Sequence, residues 1–312
     1  MTGPLVIAIP VYNDWASLRL LLRSIDGLGL PAEVVIMDDG STAEFVPDLC
    51  AGGFAHLQQV SILRLRRNLG HQRAISIGLV HVHQHFVDAV TVVMDGDGED
   101  KPEDIVAMLR KFEAEEGRKI IFAERTRRSE SAIFQICYGT YRVVHRILTG
   151  VQVRVGNFSV IPYRALSGLV VTAEIWNHYA AAVLATRVPH DSVPTARGGR
   201  LSGKSSLNFV ALVVHGLSAI SLYGDRLGVR LLSLSAVLMA LLMVGVLISP
   251  WTGNLVGLLT ILLTQLVLMS FLFAYITLSN RSSASFLPLR DCPYFVDSVR
   301  VIYPVSSPAG LG

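Results

Sequence analysis

Short apolar runs alternate with amphipathic stretches along the first half of the chain. Between the runs, apolar residues recur at helical spacing, as they do from Trp15 to Ile25 and again after Pro102. Alternating strand and helix predicts a doubly wound α/β domain with a mostly parallel sheet, in which ligands bind at the carboxyl ends of the strands. The predicted buried strands are Leu5–Ile9, Val34–Met37, Ile62–Leu65, Val90–Met94 and Lys119–Phe122.

Longer apolar stretches follow residue 206. Leu207–Tyr223 is short for a membrane span and has charged residues near its ends, which favours an interfacial helix, with a third span as the alternative. Val229–Ser249 and Asn254–Leu278 each provide the roughly 20 apolar residues that cross a bilayer. The sequence therefore predicts an α/β domain followed by interfacial helices and a two-helix transmembrane hairpin.

Arginines flank this predicted hairpin, whereas the connector between its helices is uncharged. Arg226 and Arg230 lie at its start, and Arg281 and Arg290 follow it, so the positive-inside rule predicts that both ends are cytoplasmic. The predicted division is 1–204 for the catalytic domain, 205–226 for the interfacial region, 227–279 for the transmembrane helices (229–249 and 254–278) and 280–312 for a cytoplasmic tail.

The composition supports a membrane-associated enzyme. Hydrophobic residues make up 51% of the chain and charged residues 16%, which is too apolar for an ordinary soluble enzyme. The net charge of +3 comes without a Lys/Arg-rich run, so no nucleic-acid partner is predicted. Three widely spaced cysteines without a CxxC pair, and a start that does not resemble a signal peptide, favour the cytoplasmic face of the inner membrane.

The most distinctive polar cluster, Met94–Asp100, directly follows the fourth predicted strand. Asp95 and Asp97 are two positions apart in extended chain, so their carboxylates can point to the same side. A hard divalent cation can then bridge them to a diphosphate, and the intervening glycines let a ligand approach the backbone. A solvated acidic turn or a calcium loop is the alternative interpretation.

Two other predicted strands also end in polar residues. Asp38 and Asp39 follow the second strand, where an acidic pair can bind a base N–H or ribose hydroxyls, or can instead cap a helix. The first strand runs into Tyr12, which can lie against a base, and Asp14, which can cap the next helix. Because these strand ends meet at one edge of the sheet, we expect them to form one nucleotide pocket.

Together these motifs resemble glycosyltransferase family 2, and within it the dolichyl-phosphate mannose synthase-like, polyprenyl-phosphate glycosyltransferases. Members carry IPVYNE, DDGS, RNxGxxxA and a DADLQDPPE-like signature. The matching segments here are Ile9–Asp14, Asp38–Ser41, Arg67–Ala74 and Asp95–Glu103, in the same order. The resemblance implies a GT-A fold that uses a nucleotide-sugar donor.

The resemblance also assigns roles to individual residues. It places Pro10, Tyr12, Asp14 and Asp39 around the nucleotide, and Asp95, Asp97 and Glu99 around Mg²⁺ or Mn²⁺. Glu99 stands where the family usually has Gln, which adds a negative charge beside the cation.

Two basic segments resemble phosphate-binding parts of the family. Arg125 and Arg128 lie in a GxR…RxES-like stretch beside the acceptor phosphate, and arginine suits this role because its planar fork meets two phosphate oxygens. A basic surface loop is the alternative. Arg200 and Lys204 belong to a stretch like the RxxGxSKY loop that closes over the donor diphosphate. Asn157 replaces the Asp of a GDF-like motif.

The resemblance implies inverting transfer of a sugar to a polyprenyl phosphate at the cytoplasmic membrane face, with a homotetramer and a flippase partner left open. One alternative is a family 2 synthase with another membrane acceptor, although the QxxRW motif of processive synthases is absent. Another is a non-catalytic nucleotide-sugar-binding scaffold for a flippase, which intact Asp95 and Asp97 argue against.

Three histidines, His81, His83 and His85, occur in one predicted helix over Arg73–Phe86. Only His81 and His85 share a helix face, and the sequence shows no carboxylate beside them, so we predict no metal site there.

Overall fold

A computed structural model describes residues 3–127, 139, 143, 145–150, 155–196, 198–202, 209–248, 253–279 and 286–304. The chain forms two compact units. The first comprises Met1–Ser129, Arg154–Ser206 and Ala284–Gly312, and the second comprises Glu130–Val153 and Leu207–Ser283. In this division Ala284–Gly312, from the predicted tail, groups with the first unit, and Glu130–Val153, from the predicted catalytic domain, groups with the second.

The first unit is built on an eight-stranded sheet with the order β7-β5-β6-β4-β1-β2-β3-β8. Its strands are β1 (Leu5–Val11), β2 (Ala32–Asp38), β3 (Leu57–Leu65), β4 (Val90–Val93), β5 (Ile120–Arg127), β6 (Val155–Ile161), β7 (His190–Ala196) and β8 (Val296–Tyr303). Pairing is parallel from β3 through β2 and β1 to β4 and between β5 and β7, whereas β6 and β8 run antiparallel to their neighbours. The predicted mostly parallel α/β sheet is confirmed.

Helices connect these strands and cover the sheet. The first three are α1 (Trp15–Asp26), α2 (His71–His85) and α3 (Pro102–Ala114). Shorter helices span Tyr163–Leu169, Tyr179–Ala185 and Pro288–Asp291, and 3₁₀ turns span Pro47–Cys50, Ala173–Trp176 and Cys292–Phe295. The helical spacing read from the sequence is correct for α1, since Leu18, Leu22 and Ile25 are buried against the core.

Strand β1 lies at the centre of the sheet because it is apolar along its whole length. All seven of its residues are buried, as expected for a strand covered on both faces. Its neighbours β2 and β4 are nearly as buried. The ends of these three strands are therefore held by a continuous core, which gives the loops that follow them a rigid base.

The C-terminal part of the predicted tail contributes an unpredicted edge strand. Strand β8 pairs with β3, and Arg66 N–H donates to Phe295 O at 2.9 Å. Trp176 packs against Phe286 and Phe295, with ring centroids 4.4 and 5.1 Å apart. This segment is thus an integral part of the first unit.

The second unit includes the helices Phe209–Ser221, Gly224–Ile248 and Gly253–Ser279. They coincide with the apolar stretches read from the sequence. Many apolar side chains on the two long helices are exposed, including Leu232 and Phe273 at 73% each. A search of the described residues finds no helix with the length and apolar character needed to cross a membrane.

Two arginines of the second unit have local partners. Arg226 Nη1 donates to Thr149 O at 3.3 Å, and Arg230 Nη1 donates to Ile147 O. Both acceptors lie in the helical residues 145–149, so these guanidinium groups cap carbonyls at the end of that segment.

Candidate functional site

The candidate site lies at the carboxyl edge of β4, β1 and β2, which are adjacent and parallel. Asp39 N–H donates to Val11 O at 2.9 Å, and Met94 N–H donates to Ala8 O at 3.2 Å, so the chain leaving each strand stays close to β1. The structure therefore brings together the three strand ends that the sequence analysis assigned to one pocket.

The acidic loop after β4 is folded on itself by its own carboxylates. Asp95 N–H donates to Asp100 Oδ2 at 3.0 Å, and Asp100 is buried. Glu99 N–H donates to Asp97 Oδ1 at 3.0 Å. These bonds turn the predicted extended segment into a compact loop with Asp95 and Asp97 half-buried at its base.

Glycine is required at one position of this loop. Gly98 has φ +82°, in the left-handed region that side chains disfavour. A Cβ atom there would lie 2.3 Å from Leu201 Cγ. Gly98 therefore allows Leu201 to pack directly on the acidic loop.

Negative charge is concentrated at Asp97. Burial raises the pKa of its carboxyl, the nearby Asp95 and Glu99 raise it further, and Arg200 acts in the opposite direction. A bound cation would lower the cost of holding these carboxylates together.

Arg200 links the acidic loop to the first strand end. Its loop is held by two backbone bonds, from Gly198 N–H to Glu99 O at 2.8 Å and from Leu201 N–H to Asp97 O at 3.0 Å. Arg200 Nη2 lies 2.8 Å from Asp14 Oδ2, and its Nη1 lies 3.5 Å from Asp97 Oδ2. The structure thus unites three predicted site residues that are far apart in sequence.

Asp39 has a backbone-binding role that the sequence analysis did not predict. Its Oδ1 accepts from Leu69 N–H at 2.7 Å, and its Oδ2 accepts from Gly70 N–H at 2.9 Å. Gly70 is the N-cap of α2, so Asp39 fixes where that helix starts. Both of its carboxylate oxygens already have partners, and the side chain organises the pocket wall.

Asp38 occupies a similar position with different contacts. It is buried at the end of β2, and its Oδ1 accepts from Ser41 N–H at 2.8 Å. Its Oδ2 lies 3.9 Å from Arg64 Nε. Asp38 therefore stabilises the Gly-Ser-Thr turn through one carboxylate oxygen and faces the guanidinium group of Arg64 with the other.

The loop after β1 is pinned to the same turn by Asn13. Asn13 Oδ1 accepts from Thr42 N–H and Ala43 N–H, both at 2.8 Å, and its backbone has φ +54°. Next to it Tyr12 is 47% exposed, so its ring is accessible to a ligand. Pro10 lies in β1 beneath the acidic loop, with its O atom 3.0 Å from the position that a Cβ of Gly96 would occupy.

His71 lies in the Arg67–Ala74 motif and contacts the acidic loop, a role that the motif alone does not predict. It is the first residue of α2, and its Nε2 lies 3.1 Å from Asp95 Oδ1. Burial lowers the pKa of this imidazole, but the carboxylates of Asp95, Asp100 and Asp39 outweigh burial and raise it. The contact joins residues 24 positions apart, so only the fold reveals it.

A chain of amides ends beside His71. Tyr179 N–H donates to Gln72 Oε1 at 2.7 Å, and Gln72 Nε2 donates to Asn157 Oδ1 at 3.2 Å. Because a backbone N–H can only donate, the orientation of both amides is fixed, and Asn157 Nδ2 lies 3.0 Å from His71 Nε2, the atom that also faces Asp95. Asn157, singled out as a departure from the family motif, is thus the end of this amide chain.

The remaining predicted basic residues are Arg125, Arg128 and Lys204. Arg125 lies in β5, where its backbone is in register with Thr195 of β7. Arg128 and Lys204 lie outside the described residues. Their predicted phosphate contacts stay predictions.

The donor chemistry of the site fits a hard divalent cation held by few protein ligands. No group of three or more His, Cys, Asp or Glu side chains within the described ranges is arranged to hold a metal ion. Mg²⁺ typically needs only one or two carboxylates, because substrate phosphates and water complete its coordination. Asp95 and Asp97 meet that requirement.

A family model matches the first half of the chain, and curated relatives match part of it. The model described as "Glycosyl transferase family 2" matches residues 6–164. The undecaprenyl-phosphate 4-deoxy-4-formamido-L-arabinose transferase of Klebsiella pneumoniae subsp. pneumoniae is 33% identical over 129 residues, which cover 40% of this chain and 38% of that protein. Its namesake from Shewanella sediminis is 36% identical over 134 residues, covering 41% and 38%. The match spans less than half the length of these relatives.

Solved structures are similar at the level of the fold. A mycobacterial protein superposes with a TM-score of 0.51 at 12% identity, covering 73% of this chain and 76% of that one. Glucosyl-3-phosphoglycerate synthase of Mycobacterium tuberculosis, solved with Mn²⁺, uridine diphosphate and glucosyl-3-phosphoglycerate, gives a TM-score of 0.49 at 14% identity, covering 73% and 81%.

Proposed function

This chain belongs to glycosyl transferase family 2, and we propose that it transfers a sugar from a nucleotide diphosphate to a polyprenyl phosphate. The family match confirms the resemblance read from the motifs. The observation that carries the proposal is the junction of Asp14, Asp97 and Arg200 at the carboxyl edge of the sheet. A nucleotide sugar fits this edge of the sheet. Its diphosphate can meet the guanidinium group and a cation held by the carboxylates, and its base can lie against the exposed ring of Tyr12.

Curated relatives support the choice of acceptor. Proteins named as undecaprenyl-phosphate 4-deoxy-4-formamido-L-arabinose transferases match about 40% of this chain. We extend their acceptor class to this chain as part of the proposal. Donor sugar and base are left to experiment, with UDP- and GDP-linked sugars as the candidates.

We assign the cation to Asp95 and Asp97, with Glu99 as the predicted third carboxylate. Mg²⁺ or Mn²⁺ bound there would stabilise the negative charge of the departing nucleoside diphosphate. His71 holds Asp95 from the side, and Arg200 holds both Asp97 and Asp14. These contacts fix the carboxylates before a donor binds, which reduces the reorganisation that binding requires.

The acceptor needs no dedicated base in this scheme. The second pKa of a phosphate monoester is about 6, so its oxygen is already ionised at neutral pH. We propose that this oxygen attacks the anomeric carbon opposite the leaving diphosphate, which inverts the configuration. Arg125 and Arg128 are the proposed acceptor-phosphate ligands, and Lys204 and Arg200 the proposed donor-phosphate ligands.

Membrane attachment belongs to the same proposal. The long helices Gly224–Ile248 and Gly253–Ser279 expose apolar side chains such as Leu232 and Phe273, and a polyprenyl acceptor stays in the bilayer. We propose that these helices form the anchor, with the first unit on the cytoplasmic face of the inner membrane. Retention of the full chain in the pellet after carbonate washing tests the attachment, and release into the supernatant contradicts it.

Direct transfer assays test the activity. Membranes containing the full chain are incubated with undecaprenyl phosphate, radiolabelled UDP- or GDP-sugars and Mg²⁺ or Mn²⁺, and lipid-extractable label is counted. We expect label from at least one donor and its loss in Asp97→Asn. Asp88→Asn is the matched control, because Asp88 has φ +56°, which asparagine tolerates, and precedes β4 at the other edge.

Two outcomes distinguish the alternatives. Label in polymer rather than in the lipid extract favours a family 2 synthase with another acceptor. Nucleotide binding without label from any donor, by well-folded protein, favours the scaffold for a flippase.

A further inference from the structure

A second cluster of metal-binding side chains lies at the opposite edge of the sheet. A cavity of about 450 Å³ opens there between the end of α2 and the sheet. His81 and His85 of α2 line it together with Glu33 near the start of β2 and with Gln59 and Ser61 of β3. Glu33 thus places a carboxylate in the wall of the cavity that the two histidines line.

The two imidazoles are held one above the other. They are four residues apart on α2, their ring centroids are 4.1 Å apart and their planes are inclined by 27°. Histidines at this spacing lie on one helix face, which is the arrangement that lets two imidazoles bind one metal ion.

The tautomer of His85 is fixed by the backbone. Its Nδ1 lies 2.9 Å from His81 O, and a carbonyl oxygen can only accept a hydrogen bond. Nδ1 therefore carries the proton, and the Nε2 lone pair is available to a ligand. In metal-binding histidines, the ring N–H that does not face the metal usually donates to a backbone carbonyl or a carboxylate, as Nδ1 of His85 does here.

His81 is half-buried where it lines the cavity, and Glu33 is half-buried in the wall of the same cavity.

We propose that His81 and His85 chelate a borderline divalent transition-metal ion, with Zn²⁺ as the expected ion, at a site separate from the acidic loop. Imidazole nitrogens prefer such ions, whereas the carboxylates of Asp95 and Asp97 prefer Mg²⁺ or Mn²⁺. Water completes the coordination, because the described residues place no third protein ligand there. Glu33 balances the charge from the cavity wall.

Co²⁺ is the probe for this site because its imidazole complexes absorb visible light. The full chain is titrated with Co²⁺ in excess Mg²⁺, which keeps the carboxylate edge occupied. We expect a saturable visible band, competed away by Zn²⁺, and roughly tenfold or greater weakening in His85→Ala. Alanine has a higher helix propensity than histidine, so α2 is retained.

Two further variants keep the test decisive. His83→Ala is the matched control, because His83 lies on the same helix but contacts Ser167 and Tyr163 instead. It should bind Co²⁺ as the wild type does, whereas Glu33→Gln should bind several-fold more weakly. The proposal is overturned if the wild type shows no saturable band, or if His85→Ala and His83→Ala bind Co²⁺ equally well.

Zn²⁺ also provides a stability readout. Because an ion that binds only the folded state raises Tm, excess Zn²⁺ should raise the Tm of the wild type and of His83→Ala but leave His85→Ala unchanged. An equal rise in all three proteins contradicts the assignment.

Discussion

The two ends of α2 carry histidines in opposite electrostatic surroundings. At its start His71 faces Asp95, and neighbouring carboxylates raise its pKa. At its other end His81 stacks on His85, and burial lowers its pKa to about 4. The surroundings of His71 therefore favour the protonated, positively charged imidazole, whereas those of His81 favour the neutral imidazole, which is the form that binds metal ions.

The difference follows from the topology of the sheet. Parallel strands deliver their loops, and with them Asp14, Asp39 and Asp95, to the carboxyl edge. The cavity at the end of α2 is lined by Glu33 near the start of β2 and by the apolar residues Val299 and Val301 of β8. We therefore expect substitutions at the carboxyl edge to affect transfer, and substitutions at the amino edge to affect stability and transition-metal binding.

The largest expected effect is that of Asp97→Asn on transfer. Removal of this carboxylate's charge should lower kcat/KM on the order of a thousandfold, because cation stabilisation of the leaving diphosphate is worth several kcal/mol. Lipid-extractable label measures it. Unchanged transfer would mean that the acidic loop is not the catalytic edge.

The next effect is that of Asp39→Asn on folding. An amide in place of this buried carboxylate would turn its amino group towards Leu69 N–H or Gly70 N–H, so one backbone bond is lost. We expect a decrease of about 2 kcal/mol in the free energy of unfolding. Denaturant unfolding measures it, with exposed Asp48→Asn as the control. A loss equal to that of Asp48→Asn would show that Asp39 does not fix the start of α2.

His71→Ala tests the carboxyl-edge histidine. Without its imidazole, Asp95 loses an orienting contact, and the Mn²⁺ concentration for half-maximal transfer should rise roughly tenfold. His85→Ala is the comparison from the other end of α2 and should leave this concentration unchanged. An equal change in this Mn²⁺ concentration for both variants would contradict a specific role of His71 beside Asp95.

The smallest effect concerns acid stability at the amino edge. Below pH 6.5 the unfolded chain protonates His81, whereas the folded chain does so only near pH 4, so protons favour unfolding between these values. The groups facing His81 in the cavity are His85 and Glu33. His81→Gln should therefore lose less stability than the wild type between pH 7 and pH 5, by on the order of 1 kcal/mol. Parallel pH profiles from urea unfolding would contradict the lowered pKa.

The sequence predicted the location of those site residues that directly follow a predicted strand. The apolar runs predicted the central strands, and from them the convergence of Asp14, Asp38 and Asp95 at one edge could be inferred. The placement of Arg200 near the donor edge came from the family motif, and the structure brings it to Asp97.

Contacts between distant segments were not predictable in the same way. Strand β8 pairs with β3 more than 200 positions away, and no local pattern specifies that partner. The amide chain from Tyr179 through Gln72 to Asn157 likewise depends on three separate elements. The family resemblance predicts that Asp39 lies beside the nucleotide, but nothing in the motif shows that Leu69 N–H and Gly70 N–H donate to its carboxylate.

The most direct test is a crystal structure of the full chain with Mn²⁺ and the nucleoside diphosphate of its active donor. The account predicts an anomalous Mn²⁺ peak within coordination distance of Asp95 and Asp97 carboxylate oxygens, with the diphosphate bound to the same ion and beside Arg200. A nucleotide and ion bound away from the ends of β1, β2 and β4 would contradict it.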